Sequence, residues 1–296
     1  MMQTVGTIFM LHRVHKLEQN RLFPNENMKV TPDFLENFIV KKQSQGYEFI
    51  SLDKMYVLLK QQQNSNKKIV LTLDDGYKDN YTYAYPIFKK YNIPFTIYIT
   101  TSFPNKNALL WWYVLEDLII NNKKIILNNN LKFQAETINE KNSTFLDIRK
   151  IIMRLNQKKL LAELETLFID YKLDWFKYSS SLTLDWDNII EMSNHKLCTI
   201  GGHTVNHFVF SKLGLKTIYD EINNANREIE LYTGRLIEHF SYPFGDRTSV
   251  SSREFKLVNE FNFKTSTTTR TGNIEYRHKD KLNVLPRIML TNEMFR

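Results

Sequence analysis

Short apolar runs alternate with amphipathic stretches over most of the chain. Runs at residues 6–11, 47–51, 69–73, 93–99, 197–200, 239–242, 261–267 and 282–289 read as strands, several too uniformly apolar for a sheet with one wet face. Between them lie helix-period segments. The first has Thr31 as N-cap, Pro32 at the first helical position and Phe34, Leu35, Phe38 and Ile39 on one face, and Gly46 ends it. Others are predicted over 52–62, over 79–91 with a kink at Pro86, over 187–194, over 214–233 with Gly234 as the stop, and over 251–260. Strand, helix, strand at this spacing predicts right-handed parallel crossovers and an α/β fold.

Residues 104–184 break that rhythm. A helix over 109–120, a hairpin about Asn128-Asn129-Asn130 and two helices over 142–155 and 157–171 are predicted there. The stretch is far longer than an ordinary connection. The expected organisation is therefore 1–103 with 185–296 as the main body, and 104–184 as an inserted, mostly helical subdomain or lid.

Chemistry gathers where apolar runs end. The run Ile69-Val70-Leu71-Thr72-Leu73 stops at Asp74-Asp75-Gly76. Successive strand residues face opposite ways, so both carboxylates reach one site only if the backbone turns, which Gly76 permits. Alone, such a triplet is more often an Asx turn. The run ending at Ile200 leads through Gly201-Gly202 to His203 and His207. Their spacing lets two imidazoles meet at one point on a helical turn; the blander reading is a core histidine and a surface one. Two histidines and a carboxylate with open positions make a catalytic metal arrangement. The first strand likewise ends abruptly in His12 and Arg13.

Thr72-Leu73-Asp74-Asp75-Gly76, His203-Thr204-Val205-Asn206-His207 and Phe240-Ser241-Tyr242-Pro243-Phe244-Gly245 resemble, in this order, the signatures of the polysaccharide deacetylases, carbohydrate esterase family 4. The resemblance implies a distorted (β/α)7–8 barrel. It implies that Asp74 is the catalytic base, that Asp75, His203 and His207 hold one divalent metal, and that the backbone N–H of Tyr242, beside Pro243, is an oxyanion donor. Met10-Leu11-His12 looks like the catalytic-acid motif of a circularly permuted branch, which makes His12 the acid. The family's base-orienting Arg is missing ahead of Tyr242, where Phe240 stands, and Arg287 on the last strand is the candidate replacement. Leu73 also departs from the family's Phe. Zinc is the default ion, with cobalt, nickel, manganese and iron suited to the same ligands. The implied reaction is removal of the N-acetyl group from a sugar in a surface glycan, an oligosaccharide or its precursor. An O-acetyl esterase or a catalytically silent glycan-binding protein of the same fold are the alternatives.

Composition adds less. The 296 residues carry a net charge of +8, with lysines scattered rather than massed, and no nucleic-acid-binding motif is present. With 20 Phe, 15 Tyr and 4 Trp, aromatic surface is ample for a core and for sugar stacking; Trp111 and Trp112 are the candidates chosen for the latter, with Trp175 and Trp186 behind them. The single Cys198 excludes an internal disulfide. The first residues lack a basic segment followed by a long apolar core, and no run approaches the roughly 18 apolar residues of a membrane span. The expectation is a cytoplasmic enzyme, with peripheral contact at the inner membrane face and a lipid- or nucleotide-linked sugar among its substrates.

Overall fold

The computed structural model describes residues 4–62, 66–128 and 130–294; positions 63–65, in the predicted polar loop before the Asp-Asp strand, and Asn129 of the predicted hairpin turn lie outside them. The main sheet contains β1 (Thr4–Leu11), β2 (Glu48–Phe49), β3 (Lys68–Leu73), β4 (Phe95–Ile99), β5 (Cys198–Gly202), β6 (His239–Ser241), β7 (Thr265–Thr267) and β8 (Ile288–Met289). It runs β7-β6-β5-β4-β3-β1, with β8 also on β1 and β2 also on β3, all parallel; the short Ile274–Glu275 strand adds antiparallel to β1.

The sheet curls into a distorted barrel. Its seam is stitched by the C-terminal segment, where Leu285 bridges Thr267 of β7 and Ile288 and Met289 pair with Phe9 and Met10 of β1. The predicted strand over 282–289 is thus broken: Leu282–Val284 is a 3₁₀ turn and only Ile288–Met289 is strand. The segment has to cross from one barrel edge to the other, which a straight strand paired to one neighbour does not do.

Alternation along the strands decides what faces inward. Phe9, Leu11, Ile69, Leu71 and Leu73 pack against the helices Pro32–Ser44, Tyr85–Tyr91 and Trp186–Ser193. Their neighbours Ile8 and Val70 lie in a second cluster with Tyr98 and Leu285. Continuing the period of two puts Met10, His12, Thr72 and Asp74 on that same inner side.

Local signals explain the helix ends. Thr31 accepts from Phe34 N–H at 3.1 Å, with Pro32 in the first turn. The segment before Pro86 is a π turn, Asn80–Ala84, continuing as the Tyr85–Tyr91 helix. Proline has no N–H to give, and the wider turn takes up the mismatch where a kink was predicted.

In the stretch after β4, the helix Trp111–Ile120, the antiparallel pair Lys124–Ile126 and Lys132–Gln134, and the helices Ile138–Ile152 and Leu160–Leu167 surround an apolar cluster of their own. Ile138–Ile152 starts four residues earlier than its apolar pattern indicates. The reason is a reciprocal cap, in which Thr137 accepts from Glu140 N–H and the Glu140 carboxylate accepts from Thr137 N–H.

Candidate active site

The C-terminal ends of the parallel strands meet at one end of the barrel, the place where barrel folds put their chemistry. Leu11 pairs with Leu73, and Asp74 N–H donates to Leu11 O at 2.9 Å. His12 and Asp74 therefore leave neighbouring strands side by side.

Asp74 is fully enclosed, and Arg287 reaches it from the barrel seam. The guanidinium donates from both terminal nitrogens, 2.7 Å to Oδ1 and 2.6 Å to Oδ2. Its remaining donors go to Thr72 Oγ1, Ser241 Oγ and Thr268 O. Burial alone raises the Asp74 pKa; Arg287 outweighs it and holds the carboxyl below its ordinary value.

Asp75 turns into the same space because its backbone is left-handed, φ 77°, followed by Gly76 at φ 97°. The turn required by the adjacent carboxylates thus falls on Asp75 itself. Its Oδ1 lies 3.2 Å from His203 Nε2 and 3.4 Å from His207 Nε2. The predicted helical turn between the histidines is absent. Residues 203–209 are irregular, with Thr204 at φ 69° and His207 at φ 57°, and this is what aims two imidazoles four residues apart at one oxygen. A β-branched residue at positive φ is strained, and the loop is held accordingly. The Glu221 carboxylate, buried on the Leu215–Thr233 helix, accepts from Val205 N–H, Asn206 N–H and the Asn206 amide at 3.1, 2.8 and 2.7 Å. Thr101 N–H donates to Thr204 O, and Thr100 Oγ1 donates to His203 O.

The donor set fits a cation. His203 Nδ1 lies 2.7 Å from Ser241 O, an acceptor, so Nδ1 carries the proton and Nε2 presents its lone pair. Asp75 Oδ1 is buried with no hydrogen-bond partner. Converging lone pairs repel unless a positive charge lies between them. Ligand bonds of about 2.0–2.2 Å to a shared ion place neighbouring donors about 3.0–3.5 Å apart, the spacing seen. Burial pushes Asp75's pKa up, but the two imidazoles overcome it and the group stays strongly acidic. Burial lowers His207 to about 4, keeping that ring neutral as ligation requires. Among the described residues, these three form the one cluster of His, Cys, Asp and Glu side chains fit for a metal.

A cleft of about 460 Å³ opens over this group. Met10, His12, Asp74, Asp75, His203 and His207 form its floor, and Trp111, Trp112 and Phe145 stand among its walls. Trp112 Nε1 donates to Tyr77 Oη at 3.1 Å, and its ring meets His207 edge-on. Trp111 is buried in the apolar cluster of the stretch after β4. Trp175 sits wholly in that cluster and Trp186 stacks on Tyr232, both outside the cleft. His12 lines the floor with Nδ1 unpartnered; burial lowers its pKa while Asp75 and Asp74 pull it up.

Tyr242 and Pro243, expected beside the substrate, lie away from the cleft lining. Tyr242 N–H donates to Thr267 O at 3.1 Å, completing the β6–β7 ladder, and its hydroxyl donates to Asn283 O. Neither residue lines the cleft; Phe244, at φ 60° and with its ring 4.6 Å from that of His207, is the part of this loop that does.

A model of the family described as polysaccharide deacetylase matches residues 61–265. The chain belongs to that family. Among solved members, the Streptococcus pyogenes deacetylase PplD in complex with acetate superposes with a TM-score of 0.65 at 19% identity, over 99% of this chain and 95% of that one. IcaB from Ammonifex degensii superposes at 0.61 and 15% identity, over 98% and 93%. At such identities the likeness is one of fold. The "Putative polysaccharide deacetylase YxkH" of Bacillus subtilis (strain 168) is 42% identical over 55 residues, a match spanning 18% of this chain and a fifth of the length of that relative. Sequence reading missed three parts of this deacetylase-family site: Glu221, Phe244 and Arg149, the last reaching the cleft from Ile138–Ile152. Only Phe244 carried a signal, as the residue after Tyr242-Pro243. No described helix is long and apolar enough to cross a membrane.

Proposed function

We propose that this protein removes the acetyl group from an N-acetylated sugar of a surface glycan, an oligosaccharide or its lipid- or nucleotide-linked precursor, in a metal-dependent hydrolysis. The observation that carries the proposal is the side-by-side placement of two differently held carboxylates, Asp74 clamped by Arg287 and Asp75 open toward two imidazoles.

Asp75, His203 and His207 hold the ion, zinc being the default. Bound there, a divalent ion polarises the acyl oxygen and makes a water acidic enough for a carboxylate to deprotonate. Asp74 is the base. Its two oxygens are fixed by the Arg287 fork, so it meets the water in one orientation, and its depressed pKa keeps it ionised. His12, across the floor, delivers a proton to the departing amine. Burial holds its pKa below the ordinary value, and the carboxylates of Asp75 and Asp74 counter that in part. Trp112 and Phe244 give flat apolar walls on which a sugar ring stacks. The protein's proposed location is the cytoplasm, with peripheral contact at the inner membrane face.

The test is acetate release from N-acetyl and O-acetyl sugars, before and after chelation and with metal restored. Release from the N-acetyl substrates that stops with chelation and returns with metal is expected. Release confined to O-acetyl substrates, or release that persists without metal, refutes the proposal.

A further inference from the structure

Arg149 is the unspent charge of the cleft. Other cations there are engaged: Arg13 pairs with Asp79 at 2.7 Å and donates to Tyr113, and Arg287, behind the floor, is consumed by Asp74. Arg149 lines the cleft from Ile138–Ile152, and its guanidinium makes no ion pair or hydrogen bond among the described residues. Its guanidinium lies 5.7 Å from the centroid of Phe244, whose other neighbour is His207. One phenyl ring therefore separates this charge from the proposed metal ligands. Asp246 also lines the cleft, but its Oδ1 is occupied by Thr248 and Ser249 N–H groups and it forms no ion pair with Arg149. Burial pushes the Arg149 pKa down, and the Asp246 charge, too far away for an ion pair, offsets only part of that. A guanidinium partly withdrawn from water and lacking an ion pair gains most from an anion brought by a ligand, which supplies charge-assisted, fork-shaped hydrogen bonds.

We infer that Arg149 and the Phe244 face form an anion subsite, and that the preferred substrate carries a phosphate or carboxylate next to its N-acetyl sugar. This rests on the deacetylase reading for the position of the sugar, not for the existence of the subsite. The cation–π contact with Phe244 uses none of the guanidinium N–H donors, which are left for an anionic oxygen. Residues outside the strand ends thereby set the choice of substrate.

Calorimetric binding of three probes to the full chain tests this: N-acetylglucosamine 1-phosphate, an N-acetylglucosamine disaccharide bearing a glucuronate, and the uncharged methyl glycoside of N-acetylglucosamine. The wild type is expected to bind one of the anionic probes roughly tenfold to a hundredfold more tightly than the methyl glycoside, the range of a hydrogen bond to a charged group. The better of the two identifies phosphate or carboxylate as the natural anion. In Arg149→Met the ratio of anionic to neutral affinity should fall toward one. Arg149→Lys, which keeps the charge and loses the fork, should retain part of the preference and decides the matter if the Met variant does not fold. A wild-type ratio near one, or an unchanged ratio in a folded Arg149→Met, overturns the subsite. Acetate release without anion preference would refute the subsite and leave deacetylation standing; selective anion binding without acetate release would do the reverse.

Discussion

Arg287 grips Asp74 by both carboxylate oxygens, at 2.7 and 2.6 Å, although 213 residues separate them. The pair is buried, with Asp74 showing only at the cleft floor, and each guanidinium donor has an acceptor. Removing one partner of such a pair leaves an uncompensated buried charge, worth about 3–5 kcal/mol of lost stability. Arg287→Met should therefore lower stability by about that amount in urea unfolding, and reduce acetate release more than ten-fold. A loss under about 1 kcal/mol would show that the buried pair is not the strut described.

The same pair sets a pH dependence. Asp74's folded pKa lies below its unfolded value, so its contribution to stability is complete above about pH 4–5 and lost as the pH falls through the depressed folded value. In a folded Arg287 variant burial is opposed only by the weaker pull of His203 and His12, and the acid limb of the pH–rate profile should move to higher pH. An acid limb unmoved by Arg287→Lys and Arg287→Met would separate Asp74 from the rate-determining ionisation.

Asp74→Asn keeps size and removes the proton acceptor. Turnover is expected to drop by about 10²–10⁴-fold, with metal still bound at the wild-type ratio, since Asp74 is not in the ligand cluster. Acetate release and metal content measured on the same preparation check both halves.

His203→Ala and His207→Ala should each bind metal weakly, and chelation should lower the unfolding temperature of the wild type more than that of either variant. A ligand that binds only the folded chain stabilises it in proportion to the logarithm of its concentration over Kd. Equal metal content in wild type and both variants would remove the proposed site.

Glu221 gathers three N–H groups of the histidine loop without touching the triad. Glu221→Ala is expected to weaken metal affinity about 10–100-fold through loss of outer support, with Glu221→Gln closer to the wild type. Metal titration with a competing chromogenic chelator reads the difference.

The strand-end motifs made the reactive side chains visible in advance, because apolar runs that stop at carboxylates or imidazoles are local patterns. The α/β alternation was equally legible, since period-two and period-3.6 segments succeed one another over most of the chain. The early start of Ile138–Ile152 was also written locally, in Thr137 and Glu140, where the apolar period alone fell short. Other features depend on what meets in space. Arg287 was singled out only through the family resemblance, as an arginine on the last strand; its grip on both Asp74 oxygens depends on the seam between β7 and β1. Tyr242 N–H was claimed by Thr267 O, a partner fixed only by β6–β7 pairing. The histidines meet through left-handed backbone at Thr204 and His207, not through the helical turn their spacing predicted. Spacing alone fixes neighbours within a strand or helix, where the repeat is set by the backbone. The orientation of an irregular loop, and the partner of a buried charge, are set by whatever the rest of the chain packs against them.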